Sequence, residues 1–170
     1  MKVKILNVSE NIFVGAEIID TAQSKIILPS ITEEWRFNFK KHSKTNGFKT
    51  YILICEETPN SIEGCLVFKM KEKIEPYMAF VEIAPHNKSE NRKYDKVAGC
   101  LIAFACRLSF IHGEGDYKGW LAFDVLEERE ENEIKLMSLY SKKYNALRFG
   151  KTTMVIPPEG GEKLINEFLK

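Results

Sequence analysis

The sequence predicts one mixed α+β domain over residues 1–170, with a central, mostly antiparallel sheet, one parallel strand pair and helices on both faces. Three observations predict it. The chain is 170 residues long, the length of one ordinary domain and too short for two well-packed ones. Its composition, 44% hydrophobic and 29% charged, suits a packed core and excludes the disordered and fibrous classes. From residue 50 the patterning reads β-β-β-α-β-α-β. The strand-helix-strand step in that order needs a right-handed crossover between parallel strands, whereas hairpins are antiparallel.

The elements follow in order. Val3–Val8 alternates as a strand, and Ile12–Ala22 is compatible with a helix. In Trp35–His42 (WRFNFKKH) aromatics stand two apart, and Trp35, Phe37 and Phe39 are either core or the lining of a pocket. Thr50–Glu57 (TYILICEE) is β-branched and apolar, TPNS supplies turn chemistry, and Ile62–Lys73 alternates, so these stretches make a hairpin. Tyr77–Pro85 is a third strand ended by its proline. After the polar loop HNKSENRKY comes a buried helix from about Asp95 to Ile111, with Val97, Leu101, Phe104, Leu108 and Ile111 at helical spacing and His112–Gly113 marking its end. Tyr117–Val125 is a fourth strand. EREENEIKLMSLYSKKY is a helix with acids first and lysines last, as the helix dipole favours. ALRFGKTTMVIPP returns as a strand, and Gly161–Lys170 closes the chain as a short helix.

Charge and cysteine usage narrow the function. With 25 Lys and Arg against 24 Asp and Glu the net charge is +1, so no global field recruits nucleic acid or an anionic membrane. The most apolar stretch, Val97–Ile111, carries Arg107 and falls well short of the roughly 20 residues that span a bilayer. The opening MKVKILNVSE has no signal-peptide pattern, and a cytoplasmic location is expected. Cys55, Cys65, Cys100 and Cys106 fit neither a metal-ligand spacing nor a disulfide framework and read as buried thiols. His42, His86 and His112 have no acidic or cysteine partner at ligand spacing, so no metal is expected.

Three features can carry chemistry. The Asp95–Gly99 turn opens the buried helix, and Lys88, Arg92, Lys93 and Lys96 crowd it against Glu90 and Asp95 alone. Unpaired N–H groups and local positive charge suit a phosphate; the plain reading is a solvated basic loop. Glu82 stands inside the apolar run FVEIAP, where a carboxylate is costly unless paired or facing a cavity, so it is either a proton acceptor or a salt-bridged glutamate. Tyr140 falls on a helical stripe with Leu136, Leu139 and Tyr144, a pattern that by itself reads as core.

The succession of a proline-ended strand, a loop, a buried helix, a strand and a helix containing LYSKKYNALRF resembles the GNAT superfamily of acyl-CoA N-acyltransferases over residues 50–157. In that family the loop before the buried helix reads R/Q-x-x-G-x-G/A. Here the same places hold Lys93, Tyr94, Asp95, Lys96, Val97 and Ala98, followed by Gly99 and Cys100, with Lys96 where the first glycine stands. L-Y-x-x-x-x-x-A-x-x-F resembles the family's ending of the second helix, and a pantetheine-binding asparagine would fall at Glu133, beside Asn132. The resemblance implies acetyl-CoA as acyl donor, no metal, and an amine acceptor. Lys93, Lys96, Val97, Ala98, Gly99 and Cys100 would bind the CoA diphosphate, Asn132 the pantetheine, and the Ile83 backbone the thioester. Glu82 would take a proton from the amine and Tyr140 would protonate the departing thiolate. The implied activity is acetyl transfer to a primary amine by direct attack in a ternary complex. The alternative is a GNAT-fold binding or regulatory module that has lost the chemistry, as the departures at Lys96 and Glu133 allow.

Overall fold

The computed structural model describes residues 1–170, except for the side chain of Gln23. β1 (Lys2–Asn7) and β2 (Ile12–Asp20) form an antiparallel hairpin. The helical reading of Ile12–Ala22 is therefore corrected: Val14, Ala16 and Ile18 are buried while Phe13 and Glu17 are exposed, a period of two. β3 (Lys49–Cys55), β4 (Ile62–Lys71) and β5 (Glu75–Ile83) continue as an antiparallel meander. The loop after β5 crosses the sheet to place β6 (Tyr94–Asp95) against β1. α2 (Val97–His112) then leads to β7 (Leu121–Asp124), which lies parallel to β5. α3 (Glu130–Tyr144) follows, then the hairpin of β8 (Leu147–Arg148) and β9 (Thr153–Ile156), and α4 (Pro158–Phe168). The sheet order is β6-β1-β2-β3-β4-β5-β7-β9-β8.

Several boundaries differ from the sequence reading: the strand expected from Tyr117 begins at Leu121 after a turn at Gly115–Tyr117, and the helix expected from about Asp95 begins at Val97 because Asp95 pairs with β1; two more differ at the end of the chain. The strand expected over ALRFGKTTMVIPP is two short strands, because residues 149–152 turn back on themselves through Phe149 and Gly150 N–H bonds to the Thr153 carbonyl. The closing helix begins at Pro158 rather than Gly161, because proline at a first helical position gives up no hydrogen bond.

The sheet separates two cores. On one side α2 and α4 pack together, and α2 is buried nearly all round, which explains its apolar sequence. A Cβ on Gly99 would overlap the Phe168 ring, so that glycine lets the two helices meet. The other side is covered by residues 21–48, whose helical content is short turns and the single-turn helix α1 (Phe39–His42). Leu28, Trp35 and Phe39 fill that core against Ile52, Cys65 and Val67, with Trp35 and Phe39 edge to face at 5.7 Å. All four cysteines are free and buried. Among the described residues no helix is long and apolar enough to cross a membrane.

β5 carries the irregularity that positions the site. Phe68 pairs with Met78 and Val67 with Phe80, which leaves Ala79 as an extra residue. Such a bulge puts two consecutive side chains on one face, and Ala79 and Phe80 both join the core under residues 21–48 while Met78 and Val81 join the α2 side.

Candidate active site

β5 and β7 pair through Tyr77 and Ala122 alone. Past that point the parallel strands part, and a cleft of about 290 Å³ opens between them. Phe80 and Val81 of β5, Phe123 and Asp124 of β7, and Leu136 and Tyr140 of α3 form its walls, while Phe37 and Phe48 close it from the covering segment. The Tyr140 ring lies 4.8 Å from Phe123 and 5.8 Å from Tyr144, so a series of rings runs from the cleft along α3. Among the described residues no protein group hydrogen-bonds the Tyr140 hydroxyl. Burial pushes its pKa up to about 12, with the Arg36 charge opposing and Glu127 adding. Burial likewise raises Tyr144, and the charges of Tyr140, Asp95 and Cys100 add to it, which ties the end of α3 to the start of α2.

Asp124 is the acid inside the cleft. It accepts from the Tyr77 hydroxyl at 2.7 Å, Thr152 Oγ1 at 2.9 Å and Thr153 Oγ1 at 2.8 Å. Burial alone would raise its carboxyl, but these donors and Lys71 outweigh burial and hold it below the ordinary value. It is a weak base with its lone pairs in use. Arg36 straps the covering segment to the end of β7, with Nη1 2.5 Å from Glu127 Oε1 and Nη2 2.8 Å from the Leu126 carbonyl.

Glu82 does not line this cleft, although it binds the backbone of two residues that do. Its Oε1 accepts Arg36 N at 2.7 Å and Lys88 Nζ at 2.5 Å, and its Oε2 accepts Phe37 N at 3.1 Å. The expectation of a proton acceptor meets a carboxylate whose partners are backbone N–H groups and an ammonium. That arrangement holds Arg36 and Phe37 over β5. A second buried acid does similar work and was not singled out in the sequence. Glu63, wholly buried, binds Thr58 Oγ1 at 2.9 Å, His86 Nε2 at 2.5 Å and Asn87 Nδ2 at 2.8 Å. Asn87 in turn accepts Tyr94 N at 2.9 Å, so the crossing loop is pinned to the sheet. The signal was present: an acid inside the apolar strand IEGCLVF is the same pattern that marks Glu82.

At the start of α2, Lys96 adopts a left-handed φ of 70°, and Asp95 Oδ1 accepts its N–H at 2.7 Å. A glycine enters that conformation freely, so Lys96 holds a backbone geometry that ordinarily favours glycine. The first-turn N–H groups of Val97, Ala98 and Gly99 have no side-chain cap. Lys88 is paired with Glu82 and Arg92 with Asp95. Among the described residues, Lys93 and Lys96 have no carboxylate partner. Cys100 is packing: its Sγ lies 3.6 Å from the Lys4 and Phe168 carbonyls, and burial pushes the thiol up to about 12 against the Lys96 charge. Asn132 is exposed on the first turn of α3 and lines no part of the cleft. Ile83 ends β5 beyond the cleft wall, where Val81 takes the lining position. The structure thus brings Tyr140 to the cleft and groups Lys93 and Lys96 with the α2 first turn, but it does not bring Glu82, Ile83 or Asn132 to the cleft.

The sequence matches no family model and no curated protein. Solved structures do match. The KacTA–DNA complex superposes with a TM-score of 0.62 at 10% identity, over 89% of this chain and 99% of that one. AtaTR bound with AcCoA gives 0.56 at 15% identity, over 88% and 98%. A Klebsiella pneumoniae protein assigned to the acyl-CoA N-acyltransferases gives 0.54 at 13%, over 84% and 97%. At these identities the likeness is one of fold, and this chain has a GNAT-like fold: one α+β domain whose nine-stranded sheet opens at its single parallel pair.

Proposed function

We propose that the chain transfers an acetyl group from acetyl-CoA to a primary amine by direct attack in a ternary complex. The observation that carries this reading is the Tyr140 hydroxyl, which stands at the β5–β7 cleft without a hydrogen-bond partner among the described residues. Past Tyr77 the β5 edge facing β7 lacks ladder partners, and backbone groups left so inside a cleft need others. The amides of pantetheine supply them. Lys93, Lys96 and the free N–H groups of Val97, Ala98 and Gly99 hold the diphosphate. AtaTR has been solved with AcCoA, which supports the choice of donor.

In the transfer a C–N bond forms, the C–S bond breaks, and a proton of the amine ends on sulfur. A hydroxyl with a pKa pushed up to about 12 is a weaker acid than an ordinary thiol, a cysteine titrating at about 8.5, and so is a poor outright donor to a thiolate. Tyr140 therefore donates a hydrogen bond to sulfur as charge develops, and releases its proton only as it receives one from the attacking nitrogen. Glu82 is a positioning residue that sets Arg36 and Phe37 at the cleft. Asp124 is engaged by three hydroxyl donors and held below its ordinary value, which makes it a weak base, and in this reading the incoming ammonium loses its first proton to water.

Thermal unfolding with acetyl-CoA and with CoA tests the reading. A ligand at 100 times its dissociation constant adds about 2.7 kcal/mol of stability, and a panel of primary amines should then release CoA thiol. No shift with either nucleotide would favour the binding or regulatory alternative.

A further inference from the structure

We infer that the acceptor is a small primary amine on an aromatic body, an arylalkylamine, whose ring lies among Phe37, Phe48 and Phe80 at the covered end of the cleft. The inference rests on the acetyltransferase reading and adds to it the class of amine. The bulge at Ala79 gives the cleft two ends on opposite faces of the sheet. Phe80 joins the core under residues 21–48, together with Phe37 and Phe48, whereas Val81 and Tyr140 pack on the α2 side. The start of α2, proposed above for the diphosphate, belongs to that second side through Val97 and Cys100. A donor reaching Tyr140 from there leaves the covered end, with its three phenylalanines, to the second substrate.

The three rings line the same cavity as Tyr140 and are only partly buried, yet each is held in place by the protein. Of the aromatics spaced two apart in the sequence, Trp35 and Phe39 are core, and Phe37 lines the cleft. Phe80 stacks on His42 at 4.1 Å and meets Phe37 at 4.9 Å and Phe48 at 6.4 Å. Glu82 accepts the Phe37 N–H, and the Arg36 guanidinium lies 5.0 Å from the Phe37 ring centre. The Lys69 ammonium lies 5.4 Å from that of Phe48. Large rings beside an opening, fixed before a ligand arrives, suit a flat apolar group, because little ordering is needed and ring–ring contact adds to the area removed from water.

Charge argues against a polyamine. Among the described residues the cleft has two carboxylates: Asp124 accepts from three hydroxyls, and Glu127 is paired with Arg36. A second ammonium would find neither of them free, and would meet the charges of Lys69 and Arg36 in the same lining. The apolar end also helps the chemistry. Burial disfavours an ammonium relative to the neutral amine, which matters at a site where Glu82 is a tether and Asp124 a weak base. The transfer balances as above: the C–N bond forms, the C–S bond breaks, one amine proton goes to water and one to sulfur, and an N-acetylated arylalkylamine and CoA thiol are released.

The test starts from binding, so that it does not depend on turnover: isothermal titration of the whole chain with phenethylamine, ethylamine and spermidine, with and without saturating CoA. The same amines are then assayed with acetyl-CoA for release of CoA thiol. Phenethylamine is expected to bind at least about tenfold more tightly than ethylamine, the discrimination that apolar groups in a hydrophobic pocket supply, with spermidine no tighter than ethylamine and kcat/KM in the same order. Phe48→Ala should bring phenethylamine and ethylamine to within about threefold of each other and leave acetyl-CoA affinity unchanged. Phe48→Leu, which keeps an apolar side chain and serves if the alanine variant does not fold, should fall between the two. Phe149→Ala, at a ring 80% exposed outside the cleft, should keep the preference. No binding of phenethylamine, equal binding of the two monoamines, tighter binding of spermidine, or a preference that survives both Phe48 substitutions overturns the proposal. So does competition between phenethylamine and CoA, because the rings would then hold the pantetheine, and so does phenethylamine binding beside acetyl-CoA without release of thiol. Phenethylamine preference in a chain that binds no acetyl-CoA would remove the acyltransferase reading and keep the aromatic amine site.

Discussion

The two edges of β5 are built differently. Along one it pairs with β4 at eight positions from Glu75 to Ile83; along the other it meets β7 at Tyr77 only. The paired edge has the buried acids: Glu82 and Glu63 each collect three donors and use them to hold residues 36–37 and the loop after β5. The open edge has the half-buried Tyr140, whose hydroxyl makes no hydrogen bond among the described residues. The difference teaches that burial of a polar group does not by itself mark chemistry. A group whose partners are all supplied by the fold is part of the scaffold, and a group lacking partners beside a cleft is free to serve a ligand.

The comparison breaks most severely at Glu82. Glu82→Leu strips an acceptor from Arg36 N, Phe37 N and the Lys88 ammonium, and should cost about 3–5 kcal/mol, read from the urea midpoint. Glu82→Gln keeps an oxygen for the backbone and should lose much less. A Glu82→Gln protein that folds at parent stability but loses turnover, with its acid limb in the pH profile gone, would return the base role to Glu82.

Tyr140→Phe tests the open edge. The ring stays against Phe123 and Tyr144, so stability near pH 7 should change by no more than about 1 kcal/mol. In single-turnover assays with acetyl-CoA and a competent amine, kcat should fall about 10²-fold with unchanged acetyl-CoA affinity, as for an interaction made in the transition state. The pKa supplies a second readout. Because the folded value of about 12 exceeds the ordinary tyrosine value of 10.0, the native state binds this proton more tightly. Its contribution is complete below the unfolded pKa and is lost as pH rises toward the folded one. The parent should therefore lose stability relative to Tyr140→Phe across that alkaline window. Identical alkaline curves together with parent turnover would make Tyr140 a packing residue.

The smallest effect is at the α2 start. Lys96→Gly relieves a left-handed residue and should stabilise the fold by at most about 1 kcal/mol. It also removes a partly exposed charge from the proposed diphosphate site, so acetyl-CoA affinity should fall by up to about fivefold and depend less on salt. Unchanged affinity and salt dependence would place the diphosphate away from this turn.

The sequence by itself determined both long helices, from local periodicity that one chain segment displays alone, and the class of fold with its parallel pair, from the order of elements and the handedness of the crossover; of the stripe with Tyr140, Leu136 and Tyr144 pack inward while Leu139 is exposed. It also marked Glu82 as a residue needing a reason, since an acid in an apolar strand is costly wherever it lies. Only the tertiary structure decided what those residues meet. Ile12–Asp20 became a strand because β1 and β3 flank it, and a helix of the same apolar residues would have left both neighbours unpaired. Glu82 became a tether because Arg36 and Phe37, more than forty positions away, present their N–H groups to it. The cleft itself has no local signature: it exists because β5 and β7 pair once and then part, and a gap between two strands belongs to neither sequence.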